Sequence, residues 1–272
     1  MNNLFFKNFQ IPYIECRYTT DSKLHYKPHL HNSLSIGMVI DGNTNFTLQN
    51  NSYLLTPEVL AVINPNNVHC CNPVKNEARS YTMLYLDKQW CFNIQSTIFD
   101  NINEYIPINK VIIQDKNLIN LYLNLINILF SNTINLEKEE AIENFAITLF
   151  TSYCNKNKNK INSIKKNEKK IKTVIEYMQE NFNQNITIKE LANIANLSPY
   201  HLIRTFHKTT GITPKNFLFN IRIEKVKKLL NTNKPISEIA LETGFYDQSH
   251  LNRVFKQIVA CTPHQYRKGI KN

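Results

Sequence analysis

Residues 239–263 contain Ile239-Ala240, Gly244-Phe245, His250-Leu251, Arg253, Phe255-Lys256 and Thr262-Pro263. Residues 191–214 run in the same order: Leu191-Ala192, Asn196-Leu197-Ser198, His201-Leu202, Arg204, Phe206 and Thr213-Pro214. A small residue, a sharp corner and a helix carrying Leu-x-Arg-x-Phe form the pattern of a helix-turn-helix reader of DNA. Two copies about fifty residues apart imply a tandem reader that engages successive turns of the major groove.

Turn chemistry supports the pattern. The corner of such a unit needs a residue that tolerates positive φ, because the chain reverses within a few residues. Gly244, one of only five glycines, holds the second corner, and Asn196 holds the first. Ala192 and Ala240, four residues earlier, are small enough to let paired helices cross closely. Ser198 and Asp247 are natural N-caps for the two reading helices. Pro199 occupies a first helical position, where a missing N–H costs nothing, and Thr-Pro follows each reading helix.

Helical spacing divides each reading helix into two faces. Leu202 and Phe206 face inward, as do Leu251 and Phe255. Tyr200, Ile203, Arg204 and Lys208 project outward in the first helix; Gln248, Ser249, Asn252, Arg253 and Lys256 do so in the second. Ser198 and His201, at the start of the first helix, complete the candidate DNA contacts. Arg and Asn carry the donor geometry that reads guanine and adenine edges, and an Arg at the same place in both copies is hard to explain as a solvated charge. The charge distribution agrees. Residues 1–159 hold 12 basic and 13 acidic side chains, whereas residues 160–272 hold 20 and 8, so the net +11 arises in the half with the repeat. That is the electrostatic footprint of a phosphate-binding module.

Residues from about 168 to 270 resemble the DNA-binding domain of the AraC/XylS family of bacterial transcription regulators. The resemblance rests on Gly244-Phe245-Tyr246-Asp247-Gln248-Ser249-His250-Leu251, then Arg253, Phe255-Lys256, Thr262-Pro263 and Tyr266-Arg267. It implies seven helices, with a long one over Pro214–Asn231 joining the readers and Phe217, Ile221, Val226 and Leu230 turned inward. It also implies that Tyr200, Ile203 and Arg204 contact bases from the first reader, and Gln248, Ser249, Asn252 and Arg253 from the second. One position departs: Ala260 stands where the family carries glycine, the counterpart of Gly211. If positive φ is required there, alanine costs about 1–2 kcal/mol.

At 272 residues the chain is long enough for two domains. The expected division is an N-terminal domain over 1–155, a linker over 156–167 and a DNA-binding domain over 168–272. The segment from Asn155 to Lys170 is polar, Lys-rich and without apolar period. Met1 to Gln10 lacks the basic start and apolar run of an export signal, and the Leu118–Phe130 run is broken by Asn120, Asn124 and Asn127. The expectation is a cytoplasmic protein, not membrane-bound, whose six cysteines stay reduced.

In the N-terminal half, apolar residues alternate from Leu34 to Ile40, Asp41-Gly42 marks a turn, and Phe46 and Leu48 alternate again, which predicts a hairpin. Short runs at Tyr53–Leu55, Val59–Ile63 and Tyr81–Leu86 complete a small barrel or sandwich. Helices are expected over Asp115–Phe130 and Leu136–Cys154. Leu118, Leu121, Leu125 and Ile128 recur at helical spacing, as do Ile142, Phe145, Leu149 and Tyr153; these faces cover the core or form a dimer seam.

Residues 25–90 resemble the cupin-like ligand-binding domain of many AraC-type regulators. The matching features are Pro28-His29-Leu30-His31, the Ile36–Gly42 stretch, Ile63-Asn64-Pro65 and Val68-His69. In metal-dependent cupins a His-x-His pair, a nearby Glu and a later His hold one ion. Here His29, His31 and His69 supply imidazoles, but Asn32 to Ile36 contains no Glu, so neither metal nor cofactor is expected. The fold class that follows is α+β: a cupin-like β-barrel with two following helices, then an all-α domain with two helix-turn-helix units joined by a long helix. The function that follows is a dimeric transcription regulator of double-stranded DNA whose barrel binds a small polar effector near His29, His31, His69, Tyr81 and Tyr85, with RNA polymerase as partner if it activates. It is not expected to be an enzyme. The alternatives are a metal-dependent cupin enzyme with a nucleic-acid-binding tail, and an effector-independent DNA-binding protein.

Overall fold

The computed structural model describes residues 2–49, 51–154 and 166–271. The chain forms two compact units: a β-rich one drawn from residues 2–24, 31–67 and 71–154, and a helical one that joins residues 25–30 and 68–70 to residues 166–271. Residues 155–165, where most of the expected linker falls, lie outside the described residues.

The β-rich unit has nine strands among the described residues: β1 (Asn2–Lys7), β2 (Ile14–Ser22), β3 (Ser33–Asp41), β4 (Thr44–Leu48), β5 (Asn51–Leu55), β6 (Leu60–Ile63), β7 (His69–Pro73), β8 (Arg79–Asp87) and β9 (Ile112–Ile113). They form a six-stranded sheet in the order β1-β2-β8-β3-β6-β9 and a three-stranded sheet in the order β5-β4-β7. The expected hairpin across Asp41-Gly42 is not formed. β3 pairs with β8 and β6, while β4 pairs with β5. Alternation reports which face of a strand is buried, not which strand lies beside it. Gly42, at φ +76°, turns the chain from one sheet to the other so tightly that a Cβ there would stand 2.7 Å from the Ala78 carbonyl oxygen.

Register sorts the large sheet into two faces. Ile14, Cys16, Leu34, Ile36, Leu84 and Leu86 share one face and are fully buried. Over it lie α1 (Lys88–Ile98), α2 (Lys116–Phe130) and α3 (Asn135–Tyr153), which complete the main core. Leu118, Leu125, Ile142, Phe145 and Leu149 are buried in that core, so the periodic faces of α2 and α3 cover the sheet. Tyr122 is buried with them, its hydroxyl donating to the Ile36 carbonyl at 3.2 Å. The other face of the sheet presents Arg17, Thr19, Ser35, Tyr81 and Tyr85. There Val39, Ala61 and Ile63 pack against Phe46, Leu48 and Leu55 of the small sheet. One face of the same sheet is therefore an apolar core, and the other sets a smaller apolar cluster beside a polar stretch that carries Arg17, Thr19, Ser35, Tyr81 and Tyr85.

The helical unit contains α4 (Lys166–Glu180), α5 (Ile188–Ala195), α6 (Pro199–Thr210), α7 (Pro214–Leu229), α8 (Ile236–Glu242), α9 (Gln248–Val259) and α10 (Pro263–Lys271). Ile171, Val174, Met178, Leu191, Leu202 and Phe206 form the core around α4 to α6. The joining helix α7 buries Phe217, Ile223 and Val226, followed by Leu230, while Ile221 is half-buried. Around α8 to α10, Ile239, Phe245, Leu251, Phe255 and Tyr266 are at most 2% exposed.

Candidate nucleic-acid interface and ligand site

Both helix-turn-helix units are built by their caps and corners. In the first, the Thr187 hydroxyl accepts from the Glu190 amide while the Glu190 carboxylate accepts from the Thr187 amide, starting α5. Asn196 ends α5 in the left-handed region at φ 50°, ψ 57°. Ser198 Oγ then accepts from the His201 amide at 3.3 Å and Pro199 opens α6. In the second, Gly244 turns the corner at φ +80°, and Asp247 Oδ1 accepts from the His250 amide at 2.6 Å to start α9. Ala192 and Ala240 are buried at the helix crossings. Thr213 caps α7 through the Asn216 amide, so the Thr-Pro step after α6 opens the next helix. The turn after α9 keeps the geometry of its counterpart: Gly211 sits at φ +80° and Ala260 at φ +57°.

The outward side chains expected on the first reader are all exposed. Tyr200, Ile203, Arg204 and Lys208 lie three to four residues apart on one stripe, with Tyr200 77% and Ile203 40% exposed. Ser198 and His201 are exposed at its head. His207, not anticipated from the sequence, falls on the same stripe at helical spacing from Ile203. On α9, Gln248, Ser249, Arg253 and Lys256 are exposed and Asn252 is half-buried. Tyr246, part of the quoted run but given no role from the sequence, is 85% exposed just before α9.

Arg222 on α7 was also not anticipated. Its guanidinium is buried and donates to three backbone carbonyls: Phe182 at 2.7 Å, Gln184 at 2.8 Å and Gly244 at 2.5 Å. It thereby ties the loop after α4 to the second corner. Burial pulls its pKa below the ordinary arginine value. His250 lies against Phe219 and Phe245, at 5.7 and 5.4 Å between ring centroids. Burial, then the charges of Arg253, Arg222 and Lys215, lower its pKa against an opposing contribution from Asp247.

In the N-terminal half of the chain, His29, His31 and His69 are each buried. His29 and His69 exchange backbone hydrogen bonds of 3.0 and 2.9 Å. His29 Nδ1 is 2.7 Å from the Lys27 carbonyl oxygen, a contact that makes Nδ1 the protonated nitrogen and leaves Nε2 as the acceptor. Tyr85 meets His31 edge-on at 5.2 Å. Tyr81, four residues or about 13 Å along the strand, stands instead with Arg17 and Arg79, whose guanidinium carbons lie 5.9 and 5.2 Å from its ring centroid. Ser35 Oγ and Thr44 Oγ1 are buried without a hydrogen-bond partner among the described residues.

Paired corners and paired caps in the helical unit, together with a separate two-sheet β unit, define a DNA-binding transcription regulator that carries its own ligand-binding domain. The profile of the AraC-like ligand binding domain matches residues 11–146 and that of a helix-turn-helix domain matches residues 191–269. The chain belongs to the AraC family of transcription regulators. It is 28% identical over 230 residues to the uncharacterized HTH-type transcriptional regulator YbfI of Bacillus subtilis, covering 82% of this chain and 80% of that protein. Over 99 residues it is 36% identical to the bifunctional transcriptional activator/DNA repair enzyme AdaA of the same organism, covering 36% of this chain and 47% of AdaA. Among solved structures, an apo form of a ToxT point variant from Vibrio cholerae shares the fold at TM-score 0.62 and 15% identity, covering 97% of this chain and 99% of that one. A second ToxT structure, with an unsaturated fatty acid bound, matches at TM-score 0.57 and 14% identity, covering 99% and 94%. Among the described residues no helix is long and apolar enough to cross a membrane.

Proposed function

We propose that the β-rich unit senses a small-molecule effector and thereby controls how α6 and α9 engage DNA. The observation that carries the reading is the repeated reading helix: two capped helices with equivalent exposed arginines, Arg204 and Arg253. Each helix enters one major groove, with the two grooves about 34 Å apart on one face of the duplex. Ser198, Tyr200, His201, Ile203, Arg204 and Lys208 contact the first half-site, and Gln248, Ser249, Asn252, Arg253 and Lys256 the second. The effector binds on the polar stretch near His29, His31, His69 and Tyr85, with Tyr81 further along the same face. Ser35, which lies opposite Tyr85, supports this placement, because a buried hydroxyl without a partner is costly and a polar ligand would relieve it. In this reading the imidazoles serve the effector and not a metal. ToxT has been seen with a fatty acid, but the likeness at 14% identity extends to the fold and not to the ligand.

In this reading the protein acts in the cytoplasm as a homodimer, meets RNA polymerase where it activates, and catalyses no reaction. Selection of the full-length protein on fragments of its own genome, followed by sequencing, tests it. The expected result is enrichment of two short half-sites about one turn apart, with enrichment altered by a metabolite of the neighbouring genes. Failure to enrich any sequence, with or without such metabolites, refutes it.

A further inference from the structure

The two reading helices share one scaffold and differ in chemistry. Leu202 and Phe206 correspond to Leu251 and Phe255, all fully buried. Each helix opens on a side-chain cap and closes on a left-handed residue. On the exposed side, Arg204 corresponds to Arg253, but Tyr200 corresponds to Ser249 and Ile203 to Asn252. The first reader thus presents an aromatic ring and a branched aliphatic chain where the second presents a hydroxyl and an amide. Both apolar groups are solvent-exposed, Tyr200 at 77% and Ile203 at 40%. Isoleucine has no side-chain donor or acceptor. In the major groove the apolar feature of a base pair is the thymine C5-methyl group, whereas a hydroxyl and an amide address hydrogen-bonding edges, the amide matching adenine.

We propose that the first reader selects its half-site through thymine methyl groups at Tyr200 and Ile203, and the second through hydrogen bonds from Ser249 and Asn252. The half-sites are therefore different words that share a guanine opposite the equivalent arginines. This rests on the proposed assignment of α6 and α9 as the reading helices.

The test starts from the operator selected with the full-length protein. Half-sites are assigned to readers by the base preference that relaxes in Arg204→Ala and in Arg253→Ala. Thymines of one half-site at a time are then replaced by deoxyuridine, which removes only the methyl group. Substitution in the first half-site weakens binding about fourfold per contacted methyl, the value of one buried carbon, and leaves affinity little changed in the second. In Ile203→Ser, an exposed position where folding is not at stake, the uracil effect in the first half-site shrinks while preference in the second persists. Equal sensitivity of both half-sites, or insensitivity of both, overturns the inference while leaving DNA recognition standing; insensitivity would turn Tyr200 and Ile203 toward a protein partner. If neither arginine variant changes base preference, the assignment of the reading helices itself fails.

Discussion

Replacing Gly244 by alanine should unlock the second helix-turn-helix unit, and the size of the effect follows from two contributions. Gly244 sits at φ +80°, in the left-handed region, where a side-chain-bearing residue costs about 1–2 kcal/mol. In addition, an added Cβ would lie 2.8 Å from the Asn183 carbonyl oxygen and 2.9 Å from both Asn183 Cα and Arg222 Cζ. Two of those atoms are backbone, and the third belongs to a guanidinium held by three carbonyls, so none yields cheaply. Overpacking of this kind adds about 1–3 kcal/mol, for a total of about 2–5 kcal/mol. Because a two-unit chain need not unfold in one step, the assay is amide hydrogen exchange read by mass spectrometry on peptides from α8 and α9. Exchange there should accelerate at least about thirtyfold, the equivalent of about 2 kcal/mol, while peptides from the buried strand β8 stay unchanged. An acceleration under about fivefold, or one of equal size in β8, refutes the reasoning.

Ala260→Gly should be close to neutral, within about 1 kcal/mol, because relief of left-handed strain is offset by loss of a buried methyl and greater freedom of the unfolded chain. A stabilisation of about 2 kcal/mol or more, read from the thermal transition, would show the alanine to be simply strained. Arg222→Met should destabilise the helical unit by about 3 kcal/mol or more, since three inward carbonyls lose their donor; urea denaturation showing less than about 1 kcal/mol would mean water replaces the guanidinium. His250 is held below its unfolded pKa, so its contribution to stability is present above about pH 6.5 and lost as pH falls through the folded value. The helical unit should therefore be less stable at about pH 5 than at about pH 7.5, and His250→Gln should flatten part of that dependence; an unchanged profile would exclude His250 as its source. Arg253→Ala should cost about 1–3 kcal/mol of DNA affinity and relax preference at one base pair, whereas uniform weakening across sequences would assign it to phosphate. Metal analysis of chelator-free protein should find no stoichiometric ion; one equivalent would move His29, His31 and His69 from effector to metal.

Features that depend on neighbours in sequence were legible before the structure. Ser198 and Asp247 as caps, Asn196 and Gly244 as corners, and Pro199 at a helix start each follow from the local needs of a helix end. The faces of α2 and α3 were legible in part: Leu118, Leu125, Ile142, Phe145 and Leu149 are buried, but Leu121 and Ile128 are only half-buried while Tyr122 and Leu129 are buried. Leucines and isoleucines crowd all sides of α2, so composition could not fix its rotation. Pairing between strands was not legible, because β3 finds its partners 22 to 54 residues along the chain. β1 and β2 mix charged and apolar residues and gave no clean alternation. Nothing beside Arg222 in the sequence separates it from the other cations of α7, because its carbonyl partners lie 22 to 40 residues away. The same distance effect hid Arg17, which only strand register brings beside Tyr81, whereas Arg79 is two residues from Tyr81 on the same strand.

The duplicated reader has one more consequence, for geography on the chromosome. Two identical subunits related by a twofold axis read the same word from either direction, so their site has no front or back. Here two readers follow one another along one polypeptide, always in the order α6 then α9, and their exposed residues differ. A chain bound through both has a heading on the duplex. Inverting its site would reverse the order in which α6 and α9 meet the flanking genes, with every base contact preserved.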